Sequence, residues 1–266
     1  MPDYRIVQVD AFADRPFTGN PAAVMPLDRW LDDDVLQAIA QENNLAETAF
    51  LVPTTGDADY ELRWFTPTVE VVLCGHATLA SGHVLLTDDP ARAAVRLRTR
   101  RSGVLEVRRA ASGYALDLPA LPPEPTDDRR SADALGVDPV ATLFRTGGYF
   151  VTVLADEAAL RALRPDFRRL AQAVPGDISH IVTAPGDGTD FVSRMFAPGA
   201  GIDEDPVTGS AHAVLTPYWS ARLGRETLTA YQASARGGHL TCHAAGDRVV
   251  LEGGCVTVIE GRFRLR

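Results

Sequence analysis

The chain of 266 residues contains no lysine; its 26 basic residues are all arginine. That absence excludes two large classes of chemistry. A pyridoxal phosphate enzyme needs a Schiff-base lysine, and a nucleotide-binding P-loop needs a lysine for its phosphates. There is no Gly-x-Gly-x-x-Gly either, which argues against a nicotinamide or flavin site of the Rossmann kind. The chemistry expected here uses side chains alone, with no cofactor. No apolar run approaches the roughly 20 residues that cross a bilayer, and Met1 to Val9 has no signal-peptide layout. A cytoplasmic protein with no membrane partner is the expectation. The net charge is −9 and there is no basic block, which argues against a nucleic-acid partner. Three cysteines, Cys74, Cys242 and Cys255, are odd in number and show no C-x-x-C spacing, so they read as reduced thiols.

What is present centres on one stretch, Ile202-Asp203-Glu204-Asp205-Pro206-Val207-Thr208-Gly209-Ser210-Ala211-His212. Acids come first, proline breaks the run, and an apolar helix opens and runs to Leu223, with Gly224 as its stop. Thr208 or Ser210 is the expected N-cap. The free N–H groups and dipole of such a helix start attract an anion. A solvated acidic turn in front of an ordinary helix would look the same.

A second copy of the pattern weighs against that plain reading. Arg63-Trp64-Phe65-Thr66-Pro67 precedes Cys74-Gly75-His76-Ala77-Thr78, and Arg194-Met195-Phe196-Ala197-Pro198 precedes Thr208-Gly209-Ser210-Ala211-His212. The copies lie about half the chain apart, which suggests an internal duplication and two similar domains. With the halves face to face, two helix starts would point into one cleft, and a small bound acid is the default ligand.

The rest of the chain reads as many short strands with one strongly apolar helix in each half, an α+β architecture. Helices are expected over Asp32–Asn43, from about Ala77 to Leu86, over Ser131–Leu135, and around Pro165 within Glu157–Ala173. Leu121 to Asp128, rich in proline and charge, reads as a linker. The expected domains are 1–120 and 129–255, joined by 121–128, with the last strand, about 256–266, able to return to the first domain. Glu47 interrupts the apolar run Leu45–Val52. The frequency with which glutamate is buried places it on the exposed face; a buried Glu47 would be a candidate acid or base.

His239 and His243 share a strand face with Thr241, but no second pair of ligands has a suitable spacing, so no metal site is expected. A Cys74–His76 dyad is disfavoured, because residues two apart on a helix do not face each other. An acid/base isomerase fits more of the features: Glu47, His76, Asp205 and the helix-start N–H groups could together move a proton beside a held negative charge.

Gly19-Asn20-Pro21-Ala22-Ala23-Val24, Ala46-Glu47-Thr48-Ala49-Phe50, Arg63-x-Phe65-Thr66-Pro67, Cys74-Gly75-His76-Ala77-Thr78 and Glu204-Asp205-Pro206-Val207-Thr208-Gly209-Ser210-Ala211 together resemble the PhzF-like family of phenazine-biosynthesis isomerases. That family belongs with diaminopimelate epimerase and proline racemase. The resemblance implies a diaminopimelate-epimerase-like fold: two similar domains, each a curled and mostly antiparallel sheet around a central helix, with the active site in the cleft. It also implies a homodimer without a cofactor. It places the catalytic glutamate at Glu47, with His76 and Asp205 assisting, and Gly75, Gly209 and Ser210 around a small carboxylic acid substrate. The implied reaction is an allylic proton shift, similar to that of trans-2,3-dihydro-3-hydroxyanthranilate isomerase. Cys74 stands where two-thiol racemases of the wider superfamily carry their first cysteine, and no thiol stands at the second position. An epimerase of an amino-acid-like substrate, using Glu47 with Cys74 or Asp205, and a non-catalytic binder are the other readings; Cys74 is expected to be a packing residue.

Overall fold

The computed structural model describes residues 3–265. The chain divides into two units. One runs to Leu118 and takes in the chain from Glu252 onward; the other is Pro119–Leu251.

The first unit contains β1 (Asp3–Ala11), β2 (Asn20–Pro26), α1 (Asp33–Asn43), β3 (Glu47–Pro53), β4 (Tyr60–Phe65), β5 (Glu70–Val71), α2 (Gly75–Asp88), β6 (Ala94–Thr99), β7 (Val104–Ala110) and β8 (Gly113–Pro119). The second contains β9 (Glu124–Pro125), α3 (Arg130–Leu135), β10 (Ala141–Arg145), β11 (Tyr149–Val153), α4 (Glu157–Ala162), α5 (Phe167–Ala173), β12 (Ser179–Pro185), β13 (Phe191–Ala197), β14 (Ile202–Asp205), α6 (Gly209–Leu223), β15 (Thr227–Gln232), β16 (Gly238–Ala245) and β17 (Arg248–Gly253). The last strand, β18 (Cys255–Arg264), pairs antiparallel with β1 along its length and so belongs to the first unit.

The repeat seen in the sequence is a repeat of strand pairing. In the first unit β2 runs parallel to β3, β3 antiparallel to β4, β4 antiparallel to β5, and β4 parallel to β6 across α2. In the second unit β11 runs parallel to β12, β12 antiparallel to β13, β13 antiparallel to β14, and β13 parallel to β15 across α6. The shared Arg-x-Phe has one job in both. Arg63 forks onto Glu70 through two bonds of 2.8 Å and lies over the Phe65 ring, 4.9 Å from its centroid. Arg194 forks onto Glu204 at 2.8 and 2.9 Å and lies 5.0 Å from the Phe196 centroid. Both guanidiniums are buried. A planar five-donor group matches a carboxylate edge and still stacks on a ring, and a buried charge requires such a partner. Each arginine thereby ties a central strand to the short strand beside it.

The two long helices are apolar nearly all round, the pattern of a helix enclosed by other elements. Within α2 every residue from Gly75 to Leu86 except His83 is buried, and the helix touches β1, β2, β3, β6, β7 and β18. Six strands around one helix require close approach somewhere, and Gly82 supplies it. A Cβ there would lie 2.3 Å from Val107 Cγ1 and 2.5 Å from Val107 Cβ. Because the obstacle is the branched base of a valine, Gly82→Ala is expected to lower stability by about 1–3 kcal/mol, despite the better helix propensity of alanine. Urea unfolding measures it; a neutral or stabilising result would show that α2 and β7 separate freely.

In α6, Pro217 removes one N–H from the middle of the helix. The carbonyl left without its usual partner is Ala213 O, and the Leu121 N–H takes it at 3.0 Å. This seats the start of the 121–128 segment on α6. The same segment then supplies β9, which pairs with β10 at Phe144↔Glu124 and Leu143↔Pro125. Composition alone reads it as linker because a two-residue strand containing proline carries no periodicity. Pro165 separates α4 from α5 rather than bending one helix, and each new start carries an aspartate cap: Asp156 accepts from the Ala159 N–H and Asp166 from the Arg169 N–H.

Candidate functional site

In the first unit the residues singled out from the sequence form one cluster. Glu47 opens β3 and is 8% exposed, so its expected place on the exposed face is corrected. The reason is that β3 has strands on both edges, parallel β2 and antiparallel β4, and helices α1 and α2 packed against it. A strand covered on both faces has no solvent side to offer.

His76 is the second residue of α2 and is also buried. Its Nε2 lies 2.9 Å from Glu47 Oε2. The approach is short, but the N–H does not point along it, so this is a charge contact more than an aligned hydrogen bond. The other ring nitrogen, Nδ1, lies 3.1 Å from Asn20 Nδ2 and 3.5 Å from Cys74 Sγ. The two side chains thus meet, although helical spacing disfavours such a pair. Cys74 is not helical; it is the extended residue before the helix, φ −140° and ψ 106°, and this turns its sulfur back over the first turn.

Burial alone would lower the basicity of the His76 imidazole. Cys74 and Glu47 outweigh that and hold its pKa well above the ordinary value. Burial, reinforced by Glu47, pushes the Cys74 thiol up to about 11. A thiol at that value is uncharged near pH 7. The thiol itself is a poor nucleophile in this state.

Asn20, within the Gly19–Val24 motif, is fully buried and reaches the ring that faces Glu47. It stands where it does because Gly19 takes φ +66°, and a Cβ at Gly19 would sit 2.2 Å from Ala11 O. No alanine could make that turn.

In the second unit Asp205 ends β14 and is buried, as is Gly209, while Ser210 is half-buried. Thr208 is the N-cap residue, but its side chain does not cap: its hydroxyl donates to the Asp205 carboxylate. Gln232 braces the turn. Its Oε1 accepts the Thr208 N–H at 2.8 Å, and its Nε2 donates to Asp205 O at 2.7 Å and to Thr208 Oγ1 at 3.2 Å. Nothing in the sequence marked Gln232, because it comes from β15, beyond α6, and only the parallel β13–β15 pairing places it there. His212 donates from Nδ1 to Thr208 O at 2.8 Å, and burial lowers its pKa to about 4, so it is a neutral part of the core.

Both long helices therefore begin without a side-chain cap: Cys74 and Thr208 are N-caps that make no capping bond. A helix start without a cap leaves first-turn N–H groups for another acceptor, and an anion suits them best. The expected site residues fall into two groups: Glu47, Gly75 and His76 in the first unit, and Asp205, Gly209 and Ser210 in the second.

Residues 9–261 match the family model described as "phenazine biosynthesis-like protein". An uncharacterised isomerase of Pseudomonas aeruginosa is 52% identical over 263 residues, 98% of each chain. A solved structure of a PhzF-family phenazine biosynthesis protein from Enterococcus faecalis superposes with a TM-score of 0.91 at 43% identity, covering 99% of this chain and 100% of that one. A hydroxyproline epimerase from Agrobacterium vitis superposes with a TM-score of 0.64 at 13% identity, over 98% of this chain and 92% of that one, and shares the fold.

Proposed function

This chain belongs to the phenazine biosynthesis-like protein family, and from that premise we propose that it is an isomerase moving a proton within a small unsaturated cyclic carboxylic acid, with Glu47 as the acid/base group. The observation that carries the reading is a buried carboxylate, Glu47, held 2.9 Å from His76 at the uncapped start of α2. In the proposed step the Glu47 carboxylate takes a proton from one carbon. The electron pair of that C–H bond moves into the adjacent unsaturation, and a double bond shifts. Glu47 then returns the proton to a different carbon, so the product is an isomer and nothing else is consumed. The charge that builds on the substrate needs donors in place beforehand, and the N–H groups at Gly75 suit that role. His76 is assigned to keeping Glu47 oriented toward both carbons through the two transfers. Asp205, Gly209 and Ser210 are proposed as further substrate contacts, with Asp205 assisting proton movement.

A second reading, epimerisation at one carbon, has one observation in its favour. Cys74 Sγ lies beside the same histidine, which puts a second exchangeable proton in the cluster. Its high thiol pKa disfavours it as the base and permits it only as the donor.

Incubation in deuterated water with small cyclic and amino acids, including dihydro-hydroxyanthranilate, separates the readings by NMR and mass spectrometry. Migration of a double bond supports the isomerase. Deuterium at a stereocentre without migration supports epimerisation. Ligands that bind without any exchange would leave a binder on this scaffold. Separately, Ser210→Ala is expected to raise the Kd for an acidic ligand roughly 3–10-fold, the worth of one hydrogen bond, with little change in melting temperature. An unchanged Kd would remove Ser210 from the list of contacts.

A further inference from the structure

We propose that Glu47, Cys74 and His76 form a capture site for a thiophilic divalent cation of the zinc class, whose binding takes the acid/base pair out of use. One ligand atom from each of the three residues lies within 4.8 Å of the other two, and all three residues are buried. A tetrahedral zinc ion with bonds of about 2.0–2.3 Å holds its ligand atoms about 3.3–3.8 Å apart. The Glu47–His76 contact, now 2.9 Å, has to open by about half an ångström to admit the ion, and the Cys74 sulfur, within 4.8 Å of the other two ligand atoms, has to close by at most about one and a half. Small side-chain rotations supply both.

The donor types narrow the ion. Thiolate, imidazole and carboxylate together suit zinc and its neighbours and do not suit magnesium or calcium, which take oxygen cages. Three protein ligands leave a fourth position for water or for a carboxylate from solution. The surroundings fit as well. With His76 Nε2 on the ion, Nδ1 keeps its proton, and the Asn20 amide 3.1 Å away presents its oxygen by turning over. A metal-bound histidine commonly rests its second nitrogen on such a partner. Capture releases one proton from the Cys74 thiol and one from the His76 imidazolium; no electron moves.

This capture site is specific to the placement of Cys74. The other thiols are separate from it: Cys242 lies on β16 and Cys255 opens β18, and neither belongs to a cluster of three such ligands among the described residues. Binding of the ion does not depend on the isomerase reading, and its measurement needs no substrate.

The experiment titrates the purified full chain with cobalt(II), a coloured stand-in for zinc, and then with zinc against a chromophoric chelator. One equivalent is expected, with a thiolate-to-cobalt charge-transfer band in the near ultraviolet. Cys74→Ser is expected to abolish the band and weaken zinc binding roughly 100-fold or more. Asn20→Ala is expected to weaken it roughly 10–100-fold, the usual effect of losing the partner of a ligating histidine. Cys242→Ser is expected to bind as the native chain does. Thermal melts of the free variants separate lost binding from lost folding, and His76→Gln provides a second removal of a ligand. No cobalt band in the native chain, or equal zinc affinity in native and Cys74→Ser proteins, overturns the proposal. A band lost with Cys242→Ser instead would place the metal elsewhere and overturn it equally.

Discussion

Glu47→Gln is expected to fold as the native chain does and to lose roughly 10²–10⁴-fold in turnover, the range attached to one positioned acid/base group. Glutamine matches glutamate in shape, so the start of β3 keeps its packing against α2. An amide oxygen can still meet His76, but it cannot hold a proton and hand it on. The substitution also has a signature apart from turnover. The carboxylate is one of the two neighbours that hold His76 above its ordinary pKa. Removing it leaves burial, which acts the other way, so the His76 pKa should fall. An NMR titration of the ring measures that fall directly. Full turnover in Glu47→Gln would dismiss Glu47 as the proton carrier. An unchanged His76 titration would dismiss the charge contact seen at 2.9 Å.

Acid is expected to destabilise the fold well before the carboxylates are protonated. His212 and His180 are both buried and both held neutral, each with its pKa lowered to about 4 by burial. In the unfolded chain the same rings titrate near 6.5. A group whose pKa is lower when folded stabilises the fold above its unfolded pKa and loses that contribution as pH falls toward the folded value. The window is therefore about pH 6.5 down to about 4. At about 1.4 kcal/mol per pKa unit, His212 alone contributes about 3 kcal/mol over that window, and His180 adds a similar or smaller amount. His76 does not offset this. Its pKa is raised on folding, so its contribution is fully present below about 6.5 and declines only as pH rises. Urea unfolding at steps from pH 7 to pH 4 measures the slope. His212→Gln should flatten it, even if the variant begins less stable. A native chain whose stability is level across that range would show that neither ring stays neutral in the fold.

The sequence carried the chemistry because the chemistry is local. An Arg-x-Phe on a strand, a glycine-led helix start and an acidic turn each draw their meaning from residues within about one turn or one strand pairing, so the repeat was legible. The resemblance to a known family then pointed to Glu47 and His76. Element bounds followed to within a residue or two where a breaker stood at the edge, as at Asn44 after α1 and Gly224 after α6, both in the left-handed region.

Other features depended on partners far away in the chain, and no local pattern encodes those. Glu47 read as exposed because its flanking residues cannot say that β3 has strands on both edges and helices packed against it. A Cys74–His76 dyad read as disfavoured because helical spacing was applied to the pair, whereas Cys74 is an extended residue whose sulfur reaches the ring. The contacts of Asn20 and Gln232 were not legible because they act across 56 and 24 residues of chain, respectively. The sequence by itself determined the two-fold repeat, the absence of lysine-dependent chemistry and the residue types at each helix start. Only the tertiary structure decided which of those groups lose water and which charges face each other. Burial and charge contact are set by what the sheet wraps around, and that is a property of the packed chain, not of any stretch within it.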